Sequence, residues 1–247
     1  MPINLNLPAH PGLFITGTDT GVGKTVVAGA IAKILTDAGT KVGVFRPIAT
    51  GCYRSWDGLI SQDTQYLANC ANSDLPLSTI TPVGYFTDAV PVISAAREKR
   101  PVDFQTIAAA YKQICQQCQV IIVEGIGGVR VPLTLEFDLL DLAVEFNLPV
   151  VIVARSVRGT LNHTLMTLDC IRATPLEIAG VVINGYDGTK STPDEDIAAQ
   201  LVAQFGQINI LSEVPFDDSV SFEQFNPGQM VVRSMAHCDW KKLAQVP

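Results

Sequence analysis

The chain has 247 residues, of which 47% are hydrophobic and 17% charged, a composition that favours a large buried core and excludes an intrinsically disordered protein. Its formal net charge of −7 argues against nonspecific binding of nucleic acids or anionic membranes. The N-terminus lacks a secretory signal pattern and every apolar run is too short to span a bilayer, so we expect a cytoplasmic protein.

Apolar runs of strand length alternate with helical patterns along the chain. In chain order, the predicted strands are residues 13–16, 42–45, 120–123, 150–153, 178–183 and 208–211, and the predicted helices are 25–38, 63–69, 104–118, 137–146, 160–171 and 194–205. Continuous apolar strands separated by helices predict an α/β protein with a parallel sheet covered by helices on both faces. No long Pro-rich or Gly-rich linker divides residues 1–247, so we predict a single domain.

The strongest chemical signal lies between the first predicted strand and the first predicted helix. Residues 17–25 read Gly-Thr-Asp-Thr-Gly-Val-Gly-Lys-Thr, which resembles a phosphate-binding loop in the right structural context. In such a loop the backbone amides and the helix N-terminus bind phosphate, Lys24 reaches the β- and γ-phosphates, and Thr25 binds Mg²⁺. One departure is Thr18, where the usual pattern has glycine; here the glycine is Gly17. We predict a P-loop NTPase fold that binds a nucleoside triphosphate and Mg²⁺.

Two acidic residues are candidates for the metal site. Glu124 follows the predicted strand 120–123 and precedes a glycine-rich stretch. A carboxylate at a strand end beside a P-loop typically holds the metal or its water, although an acid facing solvent is the alternative. Asp63 lies near the start of a short predicted helix, and by itself it is better interpreted as an N-terminal cap.

Four segments together resemble dethiobiotin synthetases. They are the loop 17–25, Arg-Pro-Ile-Ala-Thr-Gly at 46–51, Glu-Gly-Ile-Gly-Gly at 124–128 and Gly-Thr-Leu-Asn-His at 159–163. The likeness runs roughly from Leu13 to Pro215. The loop is the most specific segment, because related P-loop ATPases that partition chromosomes or position division sites carry K-G-G-x-G-K-[ST] instead.

The resemblance implies an ATP-dependent ligase of biotin biosynthesis. Such enzymes form the cyclic urea of dethiobiotin from 7,8-diaminononanoate and CO₂, through a carbamate and a carbamic-phosphoric anhydride. The family is homodimeric, and its active site is shared across the dimer interface.

The resemblance also assigns roles by position. The implied catalytic residues are Lys24, Arg46 and Thr50. The implied nucleotide-binding residues are Thr20, Gly21, Val22, Gly23, Lys24, Thr25 and Asn184, the last of which follows the predicted strand 178–183. The implied substrate-binding residues are Thr50 and, from the partner subunit, the backbone of Gly159, Thr160, Leu161 and Asn162. The implied Mg²⁺ ligands are Thr25, Asp63 and Glu124.

The sequence departs from the family pattern at three places. Arg46 stands where the family generally has a lysine beside the carbamate and the phosphate; arginine keeps the charge but is larger and cannot act as a base. Residues 88–92 lack the histidine of the family's S-P-H segment, which leaves the identity of the substrate less secure than nucleotide binding. Ile126 replaces a small alanine in the glycine-rich turn.

Two other functions fit parts of the sequence. A catalytically altered or regulatory nucleotide-binding homologue, with a different substrate or partner, would explain Arg46. A partitioning ATPase would need the K-G-G loop and a basic or membrane-seeking surface, neither of which is visible.

His163 is better interpreted as a helix-start residue that bonds to backbone than as a catalytic group. Cys115 and Cys118 are interpreted as two helix residues three positions apart rather than as a zinc site.

Overall fold

The computed structural model describes residues 3–55, 58–189 and 191–246, except for the side chain of Asp194. In chain order, the strands of the described residues are β1 (Gly12–Gly17), β2 (Val42–Phe45), β3 (Ile48–Ala49), β4 (Tyr53–Ser55), β5 (Gly58–Ile60), β6 (Val83–Gly84), β7 (Val120–Gly128), β8 (Val150–Arg155), β9 (Ile178–Tyr186) and β10 (Ile210–Pro215). Six of them form a parallel sheet in the order β10-β9-β8-β1-β7-β2. Strands β3 and β6 form a small parallel pair, and β4 and β5 an antiparallel one.

Helices cover both faces of the six-stranded sheet. They are α1 (Lys24–Asp37), α2 (Gln62–Cys70), α3 (Leu77–Ile80), α4 (Pro91–Glu98), α5 (Phe104–Cys115), α6 (Leu139–Phe146), α7 (Thr160–Arg172), α8 (Pro193–Asp196), α9 (Ala198–Gly206), α10 (Gln229–Met235) and α11 (Trp240–Leu243). In β1, Leu13 and Ile15 join the core beneath α1, α2, α10 and α11, whereas Phe14 joins the core beneath α5, α6, α7 and α9. This alternation follows from the period of two in a strand. The predicted parallel sheet with helices on both faces is confirmed.

The strand order determines which residues meet at the edge where the strands end. Strand β1 lies between β7 and β8, and Ile15 of β1 is in register with Glu124 of β7. The carboxyl ends of parallel strands lie at the same edge of a sheet, and ligands of open α/β folds bind there. The residues after β1, β2 and β7 therefore come together at this edge.

Several predicted boundaries were wrong. Strand β7 continues to Gly128, so Glu124 lies inside the strand and not after it. Strand β9 continues to Tyr186, so Asn184 also lies inside a strand. In both cases the predicted strand ended too early, because the prediction stopped at the first polar residue after the apolar run.

Two predicted helices also differ from the structure. Helix α5 ends at Cys115, and Cys118 lies in the turn before β7, where its Sγ is 3.4 Å from His10 Nε2. The two cysteines are thus not on one helix, and both thiols are free. The predicted helix 194–205 divides into α8 and α9, which meet at Ile197.

The C-terminal helices α10 and α11 pack against the sheet. Trp240 is 1% exposed and lies in the same core as α1. The backbone amide of Gly12 donates to the carbonyl of Ala244, which ties the C-terminus to the start of β1. No helix in the described part of the chain is long and apolar enough to cross a bilayer.

Candidate active site

The loop between β1 and α1 has the geometry of a phosphate-binding loop. Gly21 and Gly23 adopt φ angles of 74° and 94°, which turn the backbone in a way that other residues rarely allow. Lys24 is buried at the start of α1, and its Nζ donates to the carbonyl oxygen of Asp19 at 2.9 Å. Burial lowers the pKa of Lys24, although the nearby Glu124 opposes that shift. The lysine thus folds back over its own loop and bonds to a backbone oxygen.

Glu124 is the most buried acid of this site, with an exposure of 1%. Its Oε1 accepts hydrogen bonds from Thr25 Oγ1 at 2.7 Å and from Arg46 Nη1 at 2.5 Å. Its Oε2 is buried and has no hydrogen-bond partner among the described residues. Burial raises the pKa of Glu124, and the charge of Arg46 acts against that rise.

Arg46 joins the two acids of the site. It follows β2 and is 8% exposed. Its Nη1 pairs with Glu124, and its Nη2 lies 2.7 Å from Oδ2 of Asp63. Burial alone would lower the pKa of Arg46, but attraction by Glu124 and Asp63 outweighs it and raises the pKa, so the guanidinium stays charged.

Asp63 does not cap helix α2, contrary to the interpretation from its position alone. It lies in the first turn, where Ser61 is the N-cap residue and no side-chain capping bond forms. The Asp63 carboxylate instead pairs with Arg46. An acid in the first turn is also favoured by the helix dipole.

The oxygen atoms gathered here fit a Mg²⁺ ion. Magnesium prefers oxygen ligands, usually one or two carboxylates together with water and phosphate. The Thr25 hydroxyl, the carboxylate of Asp63 and Oε2 of Glu124, which has no hydrogen-bond partner among the described residues, are ligands of that kind. A buried carboxylate oxygen without a hydrogen bond is costly, so Oε2 is suited to a cation or to a metal-bound water.

Asn184 contacts the phosphate-binding loop directly. Its Nδ2 donates to the carbonyl of Val22 at 2.9 Å. A Cβ added at Gly23 would overlap with Nδ2 and lie 3.1 Å from Cγ of Asn184. Glycine at position 23 thus allows the loop and the strand to pack closely.

A cavity of about 240 Å³ lies beyond Asn184, at the ends of β8, β9 and β10. Its lining includes Ser156, Tyr186 and Phe216, and the Phe216 side chain is 60% exposed. No role was predicted from the sequence for Ser156 or Tyr186, although their positions after predicted strands could have indicated them. An exposed aromatic ring at the end of β10 is suited to stacking on a flat ring.

Thr20, predicted to bind the nucleotide, and Thr50, predicted to bind the substrate, both lie in loops that contact neighbouring segments. A Cβ added at Gly127 would lie 3.3 Å from Oγ1 of Thr20, so the loop touches the glycine-rich part of β7. Thr50 follows β3, and the next amide, that of Gly51, donates to the carbonyl of Thr87. The roles of Thr20 and Thr50 stay predictions.

The predicted substrate-binding segment 159–162 forms the start of helix α7. Gly159 has a φ of 92° and precedes Thr160, whose buried Oγ1 has no hydrogen-bond partner among the described residues. Gly159 and Asn162 are exposed, so the helix N-terminus is open to a ligand or a second subunit. His163 lines a cavity of about 410 Å³ together with residues of the phosphate-binding loop, including Asp19.

Comparison with known proteins gives matches over most of the chain. A family model described as an AAA domain matches residues 11–224. The chain is 33% identical over 212 residues to the ATP-dependent dethiobiotin synthetase BioD of Thermodesulfovibrio yellowstonii, a match that covers 83% of this chain and 88% of that one. It is also 33% identical over 202 residues to the enzyme of the same name from Methanococcus vannielii, with 82% of this chain and 92% of the relative covered.

Solved structures of similar fold have much lower sequence identity. The cell division ATPase MinD of Pyrococcus furiosus is 15% identical, with a TM-score of 0.52 over 95% of this chain and 97% of that one. The ParA family ATPase of Chlorobium tepidum is 11% identical, with a TM-score of 0.55 over 92% and 96%. At these identities the likeness shows the P-loop NTPase fold alone.

Proposed function

The chain belongs to the ATP-dependent dethiobiotin synthetase family and is an ATP-dependent ligase; from that premise, we propose that it closes the urea ring of dethiobiotin from 7,8-diaminononanoate and CO₂. The proposal rests on one observation: three of the segments that resemble the family, residues 17–25, 46–51 and 124–128, meet at the carboxylate of Glu124. Glu124 Oε1 accepts from Thr25 of the phosphate-binding loop and from Arg46 after β2.

We propose that ATP binds along the carboxyl edge of the sheet. The backbone of residues 20–23 faces the phosphates, Lys24 leaves the carbonyl of Asp19 for the β- and γ-phosphates, and Asn184 meets the base. Two features support this arrangement: the positive φ angles of Gly21 and Gly23, and the cavity next to Asn184. The N-terminus of α1 adds a favourable dipole.

Thr25, Asp63 and Glu124 are the proposed Mg²⁺ ligands. When bound, the ion neutralises phosphate charge and polarises the γ-phosphoryl group. The chain itself contributes oxygen ligands that converge on the metal site. Oε2 of Glu124 supports that role, because it is buried and has no hydrogen-bond partner among the described residues.

The proposed reaction proceeds in three steps, of which the protein mainly provides positioning and charge. A neutral amine of the diamine attacks CO₂ and loses a proton, giving a carbamate. A carbamate oxygen attacks the γ-phosphorus and ADP leaves, giving a carbamic-phosphoric anhydride. The second amine attacks the carbonyl carbon and loses a proton, and inorganic phosphate leaves as the ring closes. Arg46 and Lys24 stabilise the anionic oxygens, while Thr50 and Thr20 border the diamine or its carbamate.

We infer further that two copies of the chain share each site in the cytoplasm. The backbone amides of residues 159–162 would then bind the carboxylate of the substrate held by the other subunit, as a helix N-terminus does. The exposure of Gly159 and Asn162 supports this arrangement.

The decisive experiment measures phosphate release with ATP, Mg²⁺ and bicarbonate, with and without 7,8-diaminononanoate. Mass spectrometry of the product identifies the cyclic urea. Phosphate release that depends on the diamine, together with the ring product, supports the proposal and means that arginine can replace the family's lysine.

ATP binding without a diamine-dependent reaction would refute the proposed substrates. It would favour the alternative, a regulatory or catalytically altered nucleotide-binding homologue. Arg46 is the residue that motivates this alternative, since it departs from the family pattern next to the phosphate-binding loop.

A further inference from the structure

Arg46 forms ion pairs with both carboxylates that are proposed as Mg²⁺ ligands. Its Nη1 pairs with Glu124 and its Nη2 with Asp63, so two nitrogens of one planar group bridge two acids. A guanidinium is suited to this bridge, because its donors form a rigid fork. Lysine carries a single nitrogen, on which both acids would have to converge.

The guanidinium of Arg46 and a metal ion compete for the negative charge of Glu124 and Asp63. With Glu124 and Asp63 each paired to Arg46, a divalent cation beside them would stand next to a buried positive group. Lys24 adds a second buried cation close to Glu124. Two carboxylates facing two protein cations leave little net attraction for Mg²⁺.

A nucleotide changes this balance. Its phosphates bring several negative charges to the loop and offer oxygen atoms on which both Lys24 and Arg46 can form charge-assisted hydrogen bonds. Once Arg46 turns to the phosphates, Glu124 and Asp63 are free to hold the ion.

We propose that Arg46 is an internal counter-ion of the metal site and makes metal binding depend on the nucleotide: it pairs with Glu124 and Asp63 in the nucleotide-free enzyme and yields both to Mg²⁺ when phosphate arrives. The inference rests on the proposed metal site and on nucleotide binding, but not on the identity of the diamine. By linkage, the factor by which the nucleotide strengthens metal binding equals the factor by which the metal strengthens nucleotide binding.

The test measures the affinity of the full chain for Mn²⁺, a paramagnetic substitute for Mg²⁺, by electron paramagnetic resonance. Each protein is titrated alone and with a non-hydrolysable ATP analogue. The variants are Arg46→Lys, which keeps the charge but breaks the fork, and Arg46→Met, which removes the charge. Arg172→Lys is the matched control, since Arg172 donates to the backbone carbonyl of Gly206 and belongs to neither pair. Circular dichroism checks folding, and Arg46→Lys decides the outcome if Arg46→Met does not fold.

The expected result in the nucleotide-free protein is a gain of Mn²⁺ affinity of about tenfold for Arg46→Met, equivalent to about 1.4 kcal/mol, and a smaller gain for Arg46→Lys, which keeps the charge but cannot bridge both acids. The nucleotide should then strengthen Mn²⁺ binding about tenfold less in Arg46→Met than in the wild type, and Arg172→Lys should behave as the wild type. Unchanged or weaker Mn²⁺ binding by the Arg46 variants overturns the inference. That result leaves the proposed function intact if the wild type forms the ring product; conversely, absence of the ring product with the expected Mn²⁺ pattern refutes only the proposed reaction.

Discussion

Replacing Gly23 by alanine tests the packing between the phosphate-binding loop and β9. Gly23 has a φ of 94°, a conformation that costs an L-residue about 1–2 kcal/mol. The added Cβ also overlaps with Nδ2 of Asn184, which must leave its hydrogen bond to the Val22 carbonyl. Loss of that bond costs about 1 kcal/mol. We therefore expect Gly23→Ala to lower the free energy of unfolding by about 2–3 kcal/mol.

Gly21→Ala is the matched control, because Gly21 has a φ of 74° but no atom of the described residues lies within 4 Å of an added Cβ. It should cause only the backbone strain, about 1–2 kcal/mol. Urea unfolding of the nucleotide-free protein measures both values, and the difference of about 1 kcal/mol corresponds to about 2–4 °C in Tm for a chain of this size.

A double-mutant cycle isolates the role of Asn184 in the same measurement. In an Asn184→Ala background, Gly23→Ala should cost about 1 kcal/mol less than in the wild type, since the hydrogen bond is already gone. Equal destabilisation by the two glycine variants, together with additivity in the cycle, would refute the argument from the contact with Asn184.

The other predictions concern one cation and two acids. Lys24→Ala should abolish turnover and weaken ATP binding about tenfold or more in calorimetry, because hydrogen bonds to charged groups contribute about 1.5–3 kcal/mol; wild-type affinity would contradict the role of this lysine. Glu124→Gln should cut turnover sharply and, because it leaves buried Arg46 without one of its two counter-ions, lower stability by up to about 3 kcal/mol in urea; unchanged turnover would exclude Glu124 from the metal site. Asp217→Ala should cost about 1–2 kcal/mol at pH 7, because Asp217 accepts from the Ser219 hydroxyl and amide and from the amide of Met230. The hydrogen bond from Ser219 is the main cause that lowers the pKa of Asp217. The stabilisation by the ionised carboxylate is therefore present above the ordinary aspartate pKa and is lost as pH falls through the lowered value. The difference in stability between wild type and variant should narrow in acid, and a difference that widens would contradict the role of these hydrogen bonds.

Most of the sheet could be predicted because its strands are buried on both faces. Strand β8 is an apolar run that begins directly after Pro149, and the sequence locates it well. Strands β7 and β9 are longer than predicted, since Glu124 and Asn184 interrupt the apolar pattern while still pairing with neighbouring strands. The short pairs β3–β6 and β4–β5 were missed, because two or three residues carry no measurable period.

The sequence by itself determined the phosphate-binding loop and the alternation of strands and helices. Both depend on residues within a few positions of one another: the glycines that permit positive φ, the lysine and threonine that open α1, and the period of apolar side chains. The position of Glu124 after a predicted strand also indicated a metal-site carboxylate, and the likeness to dethiobiotin synthetases added Arg46 and the metal role of Asp63.

Only the tertiary structure decided how those three residues combine. Asp63 alone resembles a helix cap, and it becomes a partner of Arg46 because α2 and the end of β2 meet at the carboxyl edge of the sheet. Glu124 reaches Thr25 and Arg46 because β7 lies between β1 and β2, an order that follows from the packing of the whole sheet and not from any local pattern. Contacts between residues so far apart in the chain leave no period or spacing in the sequence, so their geometry appears only when the strands are assembled.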